Sequence, residues 1–298
     1  MVLEGTIIKG IAGFYYVEAN QTIYECKARG IFRNKSIVPV IGDNVLISLK
    51  KEENSKDRYL EGTIEEILER KNSLIRPAVA NVDQAMIVFS VSYPELHLDL
   101  LDRFLISVEK ENIEPYIVLN KIDEAQKASY EPIVTRYSKI GYEVICLSAK
   151  MEINTALLIP KLKDKVTVFA GPSGVGKSTL INAIEKGFAL ETGSVSDKIK
   201  RGKHTTRHVE LMPLTMGGFV LDTPGFTSLQ LEGILPEDLQ YYFPEMDAYI
   251  GTCKFTGCTH LHEPGCKVRE AVERGEIDEL RYKTYQTYYT QLKSIRRW

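Results

Sequence analysis

Gly171-Pro172-Ser173-Gly174-Val175-Gly176-Lys177-Ser178 is the stretch on which the reading of this chain turns. It fits G-x-x-x-x-G-K-S, and its neighbours supply the context that this pattern requires. Val166-Thr167-Val168-Phe169-Ala170 before it is a short apolar run of strand formers. Ser178-Thr179-Leu180-Ile181-Asn182-Ala183-Ile184 after it reads as a helix. Glycines let backbone N–H groups converge on phosphates, and the helix start favours their negative charge. Lys177 reaches the β and γ oxygens, and the Ser178 hydroxyl can hold Mg²⁺. Residues 171–178, with Thr179 in the first helical turn, are expected to bind the nucleotide.

The other guanine-nucleotide motifs lie on the wrong sides of this loop. Asn120-Lys121-Ile122-Asp123 (N-K-x-D) and Ser148-Ala149-Lys150 precede it, and Asp222-Thr223-Pro224-Gly225 (D-x-x-G) follows. A GTPase usually runs from phosphate loop through switches to base loops. Here every part of one site is present, opened at a different point, so the chain reads as a circularly permuted GTPase. Each motif ends an apolar run, at the carboxyl edge where open α/β sheets bind ligands. Asp123, buried, would accept two hydrogen bonds from the guanine N1–H and amine, a donor pair that adenine lacks. The Ala149 amide would meet the guanine O6. A helix cap is the competing reading of both base loops. Asp222 is placed to bind Mg²⁺ through water, while the Gly225 amide approaches the γ-phosphate.

Between the phosphate loop and Asp222, the stretch from Lys198 to Arg207 is basic and free of acids. It stands where a first switch belongs, with Thr205 or Thr206 as the second Mg²⁺ hydroxyl; the alternative is a solvated charged loop. Phe226 occupies the place where many GTPases carry the glutamine that orients the attacking water. His204 is the nearest candidate in sequence for that work, unless it simply faces solvent. The candidate catalytic set is therefore Lys177, His204 and Thr206.

Composition sets the frame. At 298 residues, 44% hydrophobic and 26% charged, the chain has room for two or three globular domains, and a net charge of −2 gives no global nucleic-acid signature. The first residues lack a basic region or long apolar stretch, and no run approaches the roughly 20 apolar residues of a membrane span. A cytoplasmic chain without signal peptide or membrane segment is expected. Five strand-like runs within the first 70 or so residues, punctuated by glycines and Asn20, point to a small barrel of OB type. Lys27, Arg29, Arg33 and Lys35 cluster around one of its turns, as an RNA surface or as a solvated turn. Strands then alternate with helical stretches, which implies parallel strands in a doubly wound sheet.

Three of the five cysteines fall in Cys253-x4-Cys258-x-His260-x5-Cys266. Three thiolates and an imidazole can close one tetrahedral, structural Zn²⁺ site, with His262 a rival imidazole. Cys26 and Cys146 sit in expected strands as inert core. Tyr282, Tyr285, Tyr288, Tyr289 and Trp298 are interleaved with basic residues near the C-terminus. That pattern suits RNA stacking and equally suits helix packing. The expected architecture is multidomain. An OB-fold β-barrel spans 1–71, a circularly permuted, doubly wound α/β P-loop GTPase spans 72–232, and a mostly α zinc-binding domain spans 233–298.

A barrel, a permuted GTPase and a Cys-Cys-His-Cys segment in this order resemble the RsgA (YjeQ) family. The resemblance also rests on Gly202-Lys203-His204-Thr205-Thr206, Asp222-Thr223-Pro224-Gly225-Phe226 and Ala80-Asn81-Val82-Asp83-Gln84. It covers essentially the whole chain, and Phe226 belongs to the pattern. It implies a monomeric GTPase, using Mg²⁺ with GTP/GDP, that binds the small ribosomal subunit and its rRNA through barrel and zinc domain. It further implies late maturation of that subunit and stimulation by it. The residues alone leave two rivals: a nucleotide-gated RNA-binding module and a large-subunit assembly GTPase.

Overall fold

The computed structural model describes residues 2–30, 32, 38–49, 60–74, 77–188, 190, 209–222, 231 and 233–295. Arg33, Lys35, the stretch from Lys198 to Arg207 with His204, Thr205 and Thr206, Thr223 to Phe226 with Gly225, and Trp298 lie outside the described residues.

The five N-terminal runs form β1 (Val2–Ile11), β2 (Phe14–Ala19), β3 (Thr22–Ala28), β4 (Asn44–Leu49) and β5 (Leu60–Ile67), closed into a barrel in the order β1-β2-β3-β5-β4. β4 returns antiparallel to β1, with Val2 opposite Ser48 and Thr6 opposite Asn44, so the ladder has no open edge. Alternation turns Ile7, Val17, Cys26, Val45, Ile47 and Ile64 inward, where they are fully buried. Burial pushes the Cys26 thiol up to about 12, so it stays protonated core. A two-rung hairpin, β6 (Ser73–Leu74) with β7 (Val79–Ala80), follows the barrel.

The central elements run β8 (Gln84–Ser90), α1 (Leu98–Glu109), β9 (Glu114–Asn120), α2 (Lys127–Ile140), β10 (Glu143–Cys146), α3 (Ile159–Leu162), β11 (Val166–Ala170), α4 (Lys177–Ile184), β12 (Met212–Pro213) and β13 (Phe219–Asp222). The sheet order is β10-β9-β8-β11-β13-β12. The chain winds outward from β8 in one direction, then returns to β8's other side with β11. Both faces of β8 are buried: Ala85, Ile87 and Phe89 meet α1 and α2, while Met86 and Val88 meet α3 and α4. This is the doubly wound arrangement, with one departure from the expected parallel order. β12 is an antiparallel edge strand, because Gly217 and Gly218 take φ of +88° and +84° and close a tight hairpin onto β13.

The C-terminal region packs short 3-10 turns at Pro236–Tyr242 and Pro244–Met246 with α5 (Lys267–Glu273) and α6 (Glu279–Ile295). Tyr282, Tyr285, Tyr288 and Tyr289 are all buried in this core. Helical spacing placed them on the packing face, so their rings are not available for stacking on RNA. Their hydroxyls also bridge: Tyr282 donates to the His260 carbonyl at 2.5 Å, Tyr285 to that of Thr259 at 2.9 Å, and Tyr288 to that of Asp99 on α1.

α6 also sends a charge into the joint with the nucleotide domain. Arg281 is 1% exposed and lies 2.7 Å from Asp102 of α1 and 2.7 Å from Glu245. Asp102 accepts a further hydrogen bond from Tyr137 of α2 at 2.6 Å, and the guanidinium lies 4.7 Å from the Phe243 ring centroid. Burial pushes the Asp102 carboxyl up and Arg281 pulls it back. Arg281 is held firmly protonated by Asp102 and Glu245 against its own burial.

Candidate functional site

The phosphate loop leaves β11 beside β8 at very close range. A Cβ on Gly171 would stand 2.1 Å from the Val88 carbonyl oxygen, so no side chain fits there. The loop then delivers Lys177 into α4, buried, with its ammonium donating to the carbonyls of Gly171 and Pro172 at 2.8 Å each. Ser173 and Gly174 form the exposed tip, and Val175 is buried beneath it.

Asn120, the last residue of β9, joins the separate loops into one site. Its Nδ2 donates to the Val175 carbonyl at 2.8 Å, and its Oδ1 accepts from the Ala149 amide at 2.9 Å and the Lys121 amide at 2.8 Å. One buried amide therefore ties phosphate loop, N-K-x-D and Ser148-Ala149-Lys150 together. Gly176, at φ +94°, makes room for it: a Cβ there would lie 2.5 Å from Asn120 Nδ2. Ser148 is buried and its hydroxyl accepts from the Met151 amide at 3.1 Å, shaping the third loop, while Lys150 is exposed.

Two details differ from expectation. Asp123 is exposed at the rim, in the short turn Ile122–Glu124, rather than buried. The Ala149 amide, expected to face the guanine O6, is engaged with Asn120. Lys121, at φ +65°, donates its ammonium to the Tyr93 carbonyl in the loop between β8 and α1.

At the far end of the loop, Ser178 Oγ donates to Asp222 Oδ2 at 2.8 Å, which joins phosphate loop to D-x-x-G. Asp222 Oδ1 is buried without a hydrogen-bond partner among the described residues. An unsatisfied buried carboxylate oxygen beside a hydroxyl is a donor set that fits a hard cation.

The cysteine segment forms a second centre. The ligand atoms of Cys253, Cys258, His260 and Cys266 lie within 4.8 Å of one another, and this group can hold a metal ion. His262, the rival imidazole, is exposed and outside the cluster. His260 Nδ1 faces the sulfurs, 3.3 Å from Cys266 and 3.7 Å from Cys253. Its Nε2 is 2.8 Å from Gln240 Oε1, which fixes the tautomer that leaves Nδ1 free to ligate. Sequence reasoning missed Gln240: it lies 20 residues upstream of His260, and no spacing links the two. Burial pushes the Cys258 thiol up to about 12, pushes Cys266 up as well, and pushes His260 down. A bound cation would reverse the thiol preference, since the thiolate is the ligand.

Burial opposes the Glu263 charge, but Thr259 and nearby amides outweigh it and hold the carboxyl at about 2, below its ordinary 4.5. Its contribution to this loop is complete above pH 4.5 and is lost only as pH falls toward 2. Cys258→Ser leaves three metal ligands. We expect metal content to drop in elemental analysis and residues 233–298 to become protease-sensitive, while nucleotide binding persists. A metal-free full-length protein resistant to protease would refute a structural role for the cluster.

Comparison with known proteins agrees with this geometry from end to end. The RsgA GTPase family model matches residues 67–232, and the RsgA N-terminal domain model matches residues 4–56. The small ribosomal subunit biogenesis GTPase RsgA of Alkaliphilus metalliredigens is 48% identical over 295 residues, covering 99% of each chain. Its counterpart in Caldanaerobacter subterraneus is 47% identical over 291 residues, covering 98% of this chain and 96% of that one. The crystal structure of YjeQ from Thermotoga maritima superposes with a TM-score of 0.84 at 35% identity, covering 98% of this chain and 99% of the other. YloQ, a circularly permuted GTPase, superposes at 0.80 with 40% identity, covering 99% and 96%. Motif order, sheet order and identity along the whole length converge: this chain belongs to the RsgA family of circularly permuted GTPases.

Proposed function

We propose that this GTPase binds the small ribosomal subunit and acts in its late maturation, hydrolysing GTP to GDP and phosphate with stimulation by the subunit. The observation that carries the reading is 48% identity over 99% of the chain to a small ribosomal subunit biogenesis GTPase. In this reading residues 1–71 are the RNA-binding barrel, 72–232 the GTPase and 233–298 the zinc-binding domain, working as a monomer in the cytoplasm. Lys27 and Arg29 are exposed at the end of β3, which suits contact with rRNA phosphates. Three thiols and an imidazole suit one structural Zn²⁺.

Asn120, Lys121, Asp123, Ser148, Ala149 and Lys150 hold the base, and residues 171–179 with Gly225 hold the phosphates. Ser178, Thr205 and Asp222 serve Mg²⁺, which would neutralise charge on the phosphoryl oxygens. Lys177 and Thr206 stabilise that charge, and His204 orients the attacking water in place of the glutamine that Phe226 replaces.

The test is GTP turnover with purified small subunits, large subunits or neither. Turnover should be slow alone and rise steeply with small subunits; completing an incomplete GTPase site in trans is worth up to about 10³–10⁵ in rate. His204→Ala should keep GTP affinity and the basal rate while removing most of the stimulation. Equal stimulation by large subunits would overturn the assignment. Full stimulation of His204→Ala would give the water to another group.

A further inference from the structure

The barrel strand β1 is joined to the strand pair that ends at the Mg²⁺ carboxylate. A bulge shifts the β1–β2 register between Ile7, opposite Val17, and Lys9, opposite Tyr16. The bulged residue, Ile8, packs into the core of the nucleotide domain together with Leu211, Val168 and Leu221, whereas Ile7 fills the barrel. The Ile8 carbonyl accepts from the Leu211 amide at 2.8 Å, inside that core. Lys9 forms an isolated antiparallel bridge with Glu210, and its ammonium lies 2.7 Å from the Glu210 carboxylate. Glu210 and Leu211 run directly into β12, where Met212 pairs with Val220 of β13, two residues before Asp222. In sequence the same segment follows the basic stretch Lys198 to Arg207.

The barrel thus reaches Asp222 through consecutive backbone pairings with no intervening loop. Such a path is stiff, because each step is a ladder hydrogen bond with a packed side chain. Within it, the Lys9–Glu210 pair is partly open to solvent, with side chains 28% and 42% exposed. Breaking it therefore alters the path without opening a core. We infer that Lys9 is a positioning residue for the Mg²⁺ carboxylate, acting through Glu210 and the β12–β13 pair. By this route, RNA contact on the barrel is read at the nucleotide. The inference about RNA rests on the subunit binding proposed above, and the inference about Lys9 rests only on Asp222 serving Mg²⁺.

Charge reversal and swap test it in the full-length protein: Lys9→Glu, Glu210→Lys, and both together. Four quantities are measured. They are the Mg²⁺ concentration that half-maximally tightens binding of a fluorescent GTP analogue to the free protein, GTP turnover with purified small subunits, co-sedimentation with those subunits, and GDP affinity without Mg²⁺. Each single variant should raise the Mg²⁺ midpoint at least threefold and cut stimulated turnover at least fivefold, while still sedimenting with the subunit. Affinity for GDP without Mg²⁺ should stay within twofold. The swapped pair should return both altered quantities to within about twofold of wild type, and the unchanged GDP affinity of the single variants excludes a merely destabilised protein. Wild-type Mg²⁺ midpoints in the single variants overturn the positioning role, as does a swap no better than its parents. Loss of sedimentation together with stimulation makes Lys9 a subunit contact and overturns the relay. If small subunits do not stimulate the wild type, the proposed function falls, and the Mg²⁺ midpoints alone still decide the role of Lys9.

Discussion

Asp123→Asn should turn a GTP-binding protein into one that prefers xanthosine triphosphate. In the proposed role the carboxylate would accept from guanine N1–H and the exocyclic amine, whereas an asparagine would present a donor that matches the second carbonyl of xanthine. Two hydrogen bonds to a charged acceptor are worth about 3–4 kcal/mol, so GTP affinity should fall by about 10²–10³. The exposure of Asp123 keeps the effect at this level; a site sealed around the base would discriminate by about 10⁴–10⁵. Competition against a fluorescent guanine nucleotide measures it. Lys177→Ala should weaken every nucleotide alike if, as proposed, it serves the phosphates. Equal affinity of the wild-type protein for ATP and GTP would show that N-K-x-D does not read the base here.

Arg281→Met should destabilise the protein by about 3–5 kcal/mol, because it leaves Asp102 and Glu245 as buried carboxylates without their cation. Converting all three to apolar residues, Arg281→Met with Asp102→Leu and Glu245→Leu, should recover much of that loss. Urea denaturation followed by circular dichroism distinguishes the two. A single variant within 1 kcal/mol of wild type would mean that water enters the joint and solvates the acids.

The parts of the site that depend on local chemistry were legible from residues alone. Gly171 to Ser178 needed only a strand before it and a helix after it, and β11 and α4 are where the pattern requires them. The barrel strands followed from short runs of strand formers punctuated by glycines, and the metal cluster from four ligands within 14 residues. What stayed hidden depends on partners far along the chain. The engagement of the Ala149 amide is set by Asn120, 29 residues earlier. The α6 tyrosines carry one signature for two fates, stacking on a ligand or packing in a core, and the distant residues that pack around α6, from Leu239 to Ala271, decide between them. The bridge from Lys9 to Glu210 spans 201 residues and follows no motif. β12 is too short for any periodicity, so the antiparallel edge depended on the two glycines of its turn.

The buried Arg281–Asp102 pair also bears on how the protein is made. Asp102 leaves the ribosome 179 residues before the arginine that neutralises it. Until then the nucleotide domain itself, among the described residues, offers Asp102 only the Tyr137 hydroxyl, while Leu101, Phe104 and Leu105 already tie α1 to β8. The countercharge for that helix arrives only with α6. A chain cut before α6 keeps the whole set of nucleotide motifs yet lacks this countercharge. Such a chain should be less stable to proteases than one that carries α6.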